Sequence, residues 1–428
     1  MKALKKIIIL FIILLFLFSN YCFAENDTKL EIFSEAAILI TSDNGKILYS
    51  KNADEKRYPA STTKILTAIL AIEHLSLDDK LTASYEAVMS IPSGYSNAAI
   101  QVGETLTVKA LLEVFLVHSA NEAGFILAEG VSGSISKFAN LMNEKAVDIG
   151  CKNTHFTNPS GLHDEDHYST AYDLAQIAKY CMQNETFRTF VCMPSCTIDA
   201  TDMYEERYFK NTNDMLNSKS EYYDKNIIGI KTGYTSQAKN CLISGYKNND
   251  MELISVVLGA PASVGEKGLS GKYTDTKTLF DYGINNFSYK SIGLVGQVLT
   301  QMEIEHASKD TRNLDLKLEK SIEAFVSNST SLETLKPEIK INENISAPIS
   351  ANEILGTATY TVDGISYTTN LLASHDVEVN TNLQNILKIL LAIIILFVVY
   401  ELMYSKKKRK KKKKKKSNEN YVYGRVKY

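Results

Sequence analysis

The period of apolar and polar positions changes several times along the chain. Two β-prone runs, 36–41 and 46–49, flank Asp43-Asn44-Gly45, and an Asn-Gly pair between such runs predicts a hairpin. After Pro59 the pattern becomes that of an apolar helix over 61–72, opening on Ser61-Thr62-Thr63 and apolar enough to be a buried central helix. Residues 107–117 predict a second apolar helix, broken at His118-Ser119-Ala120-Asn121 and resumed over 122–129, and 138–149 and 169–182 continue the helical region. Strand-like runs return at 227–235, 241–245 and 253–259, followed by an amphipathic helix over about 274–282. Hairpin, helices and then strands predict an α/β body of the α+β kind, its first and last strands meeting in one antiparallel sheet. Beyond residue 287 come short β-prone runs such as 292–298 and 356–364, which predict a separate small all-β domain over 288–380.

Longer apolar runs lie near both ends. Lys2, Lys5 and Lys6 precede the run 7–18, and Ser19, Asn20 and Ala24 complete the three-part form of a secretory signal peptide over 1–24. An uncleaved N-terminal anchor is the alternative. Cys22 does not make this a lipoprotein signal, because Asn20 and Tyr21 are not small residues. Residues 386–404 are almost wholly apolar, and at about 1.5 Å per residue they reach roughly 28 Å, the thickness of a bilayer's hydrocarbon core. The middle of this run is apolar on every side, which predicts a transmembrane helix rather than one lying on the surface.

Charge sharpens this topology. The 428 residues include 47 Lys and Arg against 49 Asp and Glu, and the net charge of −2 is a sum of unlike parts. Eleven basic residues form one run, 406–416, directly after the apolar segment, whereas between Glu25 and Asn385 there are 30 basic and 47 acidic residues, a net of −17. The positive-inside rule makes 405–428 a cytoplasmic tail and puts the acidic body outside the cell membrane, in a single-pass arrangement. An acidic body repels phosphates, so no nucleic-acid partner is expected. Five cysteines remain after Cys22 leaves with the signal. Cys192 and Cys196 are near enough in sequence for a local bridge, but so few in a body of this size read as small buried hydrophobes.

Three short motifs occur in order: Ser61-Thr62-Thr63-Lys64, Ser119-Ala120-Asn121 and Lys231-Thr232-Gly233. Each is weak alone; the ordered set in fitting secondary structure is much stronger. Ser61 and Lys64 stand three apart at a helix start, so both project from one face within hydrogen-bonding reach. A serine hydroxyl attacks poorly unless a neighbour takes its proton. A lysine amine can do so once burial and nearby positive charge, here Lys231, favour its neutral form. Ser119 and Asn121, at a break between helices, suit proton relay and contact with a substrate backbone. Lys231 and Thr232 suit a carboxylate, Gly233 permits close backbone approach, and the N–H groups of Ser61 and Tyr234 suit an oxyanion hole. The bland alternative makes Ser61 a helix cap, Ser119 and Asn121 a turn, and Lys231 a solvated residue.

These motifs, with the stretches 59–67, 91–99, 153–163 and 229–235 around them, resemble the serine D-alanyl-D-alanine carboxypeptidases, the low-molecular-mass penicillin-binding proteins of peptidase family S11. The likeness covers about residues 30–380, the β domain included. It implies a β-lactamase/penicillin-binding transpeptidase-like fold over 25–287. It also implies Ser61 as the acylated nucleophile, Lys64 as the base, Ser119 as the relay, and Lys231 with Thr232 as holders of the substrate's terminal carboxylate. The activity implied is removal of the terminal D-Ala from peptidoglycan pentapeptides through an acyl-serine, with β-lactam antibiotics as covalent inhibitors and no cofactor. Two departures stand out. Where the family often has an arginine after the strand that follows Lys-Thr-Gly, this chain offers Lys272, which cannot make an arginine's bidentate fork. Many relatives also end in an amphipathic helix rather than a span.

Rival readings are a β-lactamase-like hydrolase and a non-catalytic wall-binding protein. The first needs an efficient deacylating base, and no Glu-x-x-Leu-Asn pattern occurs between Asn121 and Lys231; against the second, all the required side chains are present. No Gly-x-Ser-x-Gly supports a Ser-His-Asp hydrolase, so His118 reads as packing. The cluster His163-Asp164-Glu165-Asp166-His167 lacks the His-Glu-x-x-His arrangement and reads as a loop rim, with no metal expected.

Overall fold

The computed structural model describes residues 30–422, apart from 250 and 333; the signal-peptide reading over 1–24, Cys22 and the end of the basic tail lie outside the described residues. Strand β1 (Ala36–Thr41) is buried along its whole length. Its side chains alternate between two covered faces: Ala36, Ile38 and Ile40 enter a helical core, while Leu39 points the other way, against Gly283.

β2 (Ile47–Lys51) completes the predicted hairpin. A single 3-10 turn, Ala60–Thr63, runs straight into helix α1 (Lys64–His74). This helix is buried from Lys64 to Ala71, as an apolar helix without a polar face must be. The short β3 (Lys80–Thr82) and α2 (Tyr85–Met89) precede an exposed loop, and β4 (Thr105–Thr107) leads into α3 (Val108–Val117). Helices α4 (Asn121–Ser132), α5 (Ile135–Ile149), α6 (Ala171–Cys181) and α7 (Glu185–Val191) complete the helical region. The ribbon β5 (Ser195–Ile198) and β6 (Arg207–Lys210) follows, then β7 (Ile227–Thr235), β8 (Lys239–Asn248), β9 (Met251–Ala260) and α8 (Gly271–Asn286). Thr107, Ser134, Thr170 and Asn184 each accept a first-turn backbone N–H of the helix they precede, which sets where α3, α5, α6 and α7 begin.

The main sheet is antiparallel, in the order β2-β1-β9-β8-β7. First and last strands do meet, Ile38 pairing with Val256. One face takes the helical core; α8 covers the other, with Phe280 against Tyr246 and Gly283 against Leu39 and Leu253. The order leaves β7 at an edge, and the 3-10 turn bearing Ser61 lies beside it. A Cβ on Gly233 would sit 3.1 Å from both Pro59 O and Ser61 N, so only the smallest residue lets turn and strand approach this closely.

A second compact unit begins at Asn286. In it β10 (Phe287–Gly293) pairs with β13 (Ile322–Ser327). A five-stranded antiparallel sheet runs β11 (Val298–Glu303), β12 (Asn313–Leu318), β16 (Ile365–Ala373), β15 (Ile354–Val362), β14 (Glu338–Ile341). Leu314, Leu316, Leu318, Tyr360 and Leu371 form its core. The chain ends in α9 (Thr381–Val422). Among the described residues, Gln384–Lys414 within this helix is the one segment long and apolar enough to cross a membrane, and none of its apolar window is buried. The helix continues into the basic run, where sequence predicted only a tail; lysine is a good helix former. Cys192 and Cys196 do not bridge: they and the other three described cysteines are all free.

Candidate active site

Ser61 is not a helix cap. Neither the 3-10 turn nor α1 has a side-chain cap bond at its start, and Ser61 instead opens onto a cleft of about 540 Å³ that it shares with Ser119, Asn121, Thr232, Tyr234 and Lys272. The preceding residue, Ala60, has φ +50°, and Gly161 is pressed against it: a Cβ on Gly161, itself at φ +74°, would fall 1.8 Å from Ala60 O. The Asn158–Gly161 turn is braced by Asn158 Oδ1, which accepts the N–H groups of Ser160, Gly161 and Leu162 at 3.2, 2.8 and 3.0 Å.

Lys64 has no solvent-exposed surface. Its Nζ lies 2.9 Å from Ser61 Oγ, 2.7 Å from Asn121 Oδ1 and 2.7 Å from the Ser160 carbonyl. Two of these partners can only accept, so a neutral amine spends both its protons on Asn121 and Ser160 and turns its lone pair to the Ser61 hydroxyl. Burial pushes the Lys64 pKa well below its ordinary value, Lys231 adds to the effect, and Glu122 opposes it. The expected proximity of Ser61, Lys64, Ser119 and Asn121 is therefore present, but Asn121 spends its amide on Lys64 and on the Ser96 carbonyl, 2.8 Å from Nδ2. Both ends of its amide are thus engaged within the protein, on Lys64 and on Ser96. Ser119, at φ +68°, stands where α3 and α4 meet.

On the opposite wall, Thr232 Oγ1 is 2.6 Å from Thr212 Oγ1, and Tyr234 is exposed. Lys231 is buried and does not line the cleft; its Nζ donates to the Thr232 carbonyl at 3.2 Å. Burial, then the neighbouring Lys272, push its pKa down to about 7. Lys231, expected as a carboxylate holder, thus lies beneath the cleft surface, while half-buried Lys272 lines it.

Two further readings divide. His118 packs on Phe209 with ring centroids 4.6 Å apart, as expected for a packing residue. The loop-rim reading of 163–167 fits exposed Asp164, Glu165 and Asp166 but fails for His167. That ring is buried, accepts the Thr157 N–H at Nδ1 (3.1 Å), and meets Thr63 Oγ1 at Nε2 (2.8 Å). Among the described residues no group of three or more His, Cys, Asp or Glu could hold a metal ion. Sequence reasoning gave no role to Ser160, Ser96, Thr212 or Glu122. For Ser96 and Ser160 a signal existed, since both lie in stretches that carried the family resemblance.

Residues 23–262 match the sequence profile of the D-alanyl-D-alanine carboxypeptidases, peptidase S11, and 287–379 match the C-terminal domain of penicillin-binding protein 5. The chain is 33% identical over 378 residues to the D-alanyl-D-alanine carboxypeptidase DacF of Bacillus subtilis, covering 85% of this chain and 91% of that one. It is 27% identical to DacA of Escherichia coli over 346 residues, 78% of this chain and 81% of the other. Among solved structures, penicillin-binding protein 5 from Haemophilus influenzae superposes with a TM-score of 0.61 at 26% identity, over 81% of this chain and 98% of its own. The Streptomyces K15 DD-transpeptidase does so at 0.55 and 30%, over 60% and 99%. With its fold and ordered motifs in agreement with these matches, the chain belongs to the D-alanyl-D-alanine carboxypeptidase family, peptidase S11.

Proposed function

We propose that Ser61 is the nucleophile with which this serine-type carboxypeptidase removes the terminal D-Ala of peptidoglycan stem peptides. The observation that carries the assignment is the buried Lys64 amine, 2.9 Å from Ser61 Oγ and held on its other sides by two acceptors. Neutral Lys64 takes the Ser61 proton as Oγ attacks the penultimate carbonyl, whose developing oxyanion meets the N–H groups of Ser61 and Tyr234 at the edge of β7. The proton passes from Lys64 through Ser119 to the departing amine, the C–N bond breaks, and D-Ala leaves an acyl-Ser61 ester. Water then attacks the ester, gives a proton to the lysine, and Ser61 Oγ recovers one. Thr232 and Lys272, with Lys231 beneath, hold the substrate's carboxylate.

β-Lactams acylate the same serine. No carboxylate lines the described cleft, so the penicillin adduct lacks the acidic base of an efficient lactamase and is released slowly. Helix α9 anchors the enzyme to the cell membrane. The finer topology, a single pass with the acidic body outside and the basic tail inside, is supported by the charge asymmetry and by the exposed apolar span.

The test uses the full-length chain in detergent, a fluorescent penicillin and a peptide ending in D-Ala-D-Ala. Expected are a Ser61 adduct and free D-Ala; absence of both refutes the assignment, and rapid penicillin turnover favours a lactamase. Protease added to intact cells should digest the acidic body and spare the lysine tail.

A further inference from the structure

Three buried charged side chains beside the cleft take no part in these steps: Glu104, Glu122 and Arg207, 1%, 2% and 7% exposed. All three bear on the loop 91–101. Most of this loop is exposed, with Ala98 and Ile100 its buried members, and a cavity of about 190 Å³ lies beneath it, bordered by Ile91, Asn97, Ile100 and Glu122. With only Ala98 and Ile100 buried, packing holds the loop weakly and hydrogen bonds must place it. Glu122 Oε1 accepts the Ala98 N–H at 2.6 Å. From the other side, Arg207 Nη1 donates to the carbonyls of Ala98 and Ala99 at 3.1 and 3.2 Å. Arg207 is itself ion-paired with Glu104, whose carboxylate also accepts the Gln101 N–H at 2.9 Å.

The placement matters because of Ser96. Its carbonyl accepts both the backbone N–H of Asn121 (3.0 Å) and Asn121 Nδ2 (2.8 Å). An amide that gives its NH₂ to a carbonyl turns its oxygen the other way, and here that oxygen meets Lys64 Nζ at 2.7 Å. With Ser96 displaced, the amide is free to turn its NH₂ to Lys64, donor against donor, and the amine loses a contact that keeps it on Ser61. We infer that Glu122 and Arg207 are positioning residues: by pinning Ala98 they hold the Ser96 carbonyl on Asn121, and thereby hold Lys64 on Ser61. The inference rests on Lys64 being the base of the reaction proposed above.

The test compares full-length wild type, Glu122→Ala, Glu122→Gln and the pair Glu104→Gln/Arg207→Gln, each at its own pH optimum. The pair removes both charges together, since Arg207 changed alone leaves Glu104 buried without its partner. Glu122→Ala and the pair should lower kcat for D-Ala release at least about tenfold and slow penicillin acylation to match, with KM within about threefold of wild type. Glu122→Gln keeps an acceptor for the Ala98 N–H and should restore most of kcat. A raised KM at unchanged kcat, a Gln variant as slow as the Ala variant, or no change in either constant overturns the inference. If wild type itself neither releases D-Ala nor labels at Ser61, the catalytic assignment has failed and this inference falls with it.

Discussion

Replacing His167 by glutamine should remove an acid-sensitive part of the stability. The Thr157 N–H donates to Nδ1 of this ring, which leaves the proton of the neutral imidazole on Nε2, where it donates to Thr63 Oγ1, one residue before Lys64. Burial is the main force that pushes the His167 pKa down, to about 3 from 6.5, against the opposing pull of Asp164. Because the folded state resists the proton that the unfolded chain accepts, this contribution is intact above pH 6.5 and is lost progressively as pH falls from there toward 3. At about 1.4 kcal/mol per pH unit, going from pH 7.5 to 5.0 should cost about 2 kcal/mol through this residue. Nothing is discounted for solvent, since the side chain is only 2% exposed. The assay is urea unfolding of the full chain in detergent, followed by near-ultraviolet circular dichroism of its 24 tyrosines because there is no tryptophan. Wild type and His167→Gln are compared at pH 7.5 and 5.0. The wild type should lose about 2 kcal/mol more than the variant, whose other titrating groups are shared and cancel. Equal losses would refute the reasoning.

Other perturbations test other parts of the site. Gly161→Ala must place a methyl group on Ala60 O at a positive φ, so it should cost at least about 3 kcal/mol and abolish penicillin labelling; normal labelling would show that the turn yields. Lys272→Ala should raise KM for the peptide about tenfold, whereas Lys272→Arg, able to fork onto the carboxylate, should lower it; steady-state D-Ala release distinguishes them. Lys231 loses its charge as pH rises through about 7, so the peptide's affinity for Ser61→Ala should weaken between pH 6 and 8, and a flat profile by calorimetry would contradict the role given to that charge.

What could be read from sequence divides along the range of the interactions. Ser61 and Lys64 touch because a three-residue spacing at a helix start brings them together, and that spacing is written in the chain. The Ser160 carbonyl reaches the same amine across a separation of 96 residues, which no local pattern announces. His167 was misplaced because its neighbours Asp164, Glu165 and Asp166 are exposed; only the packing of that loop against the 3-10 turn decides that one ring turns inward. Lys231 is placed by its motif, but its depth below the cleft depends on how β7 packs beside Lys272 at the start of α8. For the fold, the long strands and apolar helices gave clear periods, whereas α2, α7 and the pairs β3–β4 and β5–β6 are runs of three to seven residues, too short for a period to show. The helix starts were displaced by two or three residues where a capping Ser or Thr had been counted inside the helix or overlooked.

The three contacts of Lys64 come from three separate pieces of chain: the turn before α1, the start of α4 and the Asn158–Gly161 turn. The 3-10 turn and α1 in isolation would carry the same serine and lysine side by side in water, with the amine fully protonated and the hydroxyl inert. With Ser61 in the role proposed for it, reactivity switches on only when the distant pieces dock, which makes this serine a reporter of completed folding. A chain not yet folded is chemically silent toward both peptide and penicillin. The fraction that takes up a fluorescent penicillin then measures the fraction that has reached its native state, independently of how much protein is present.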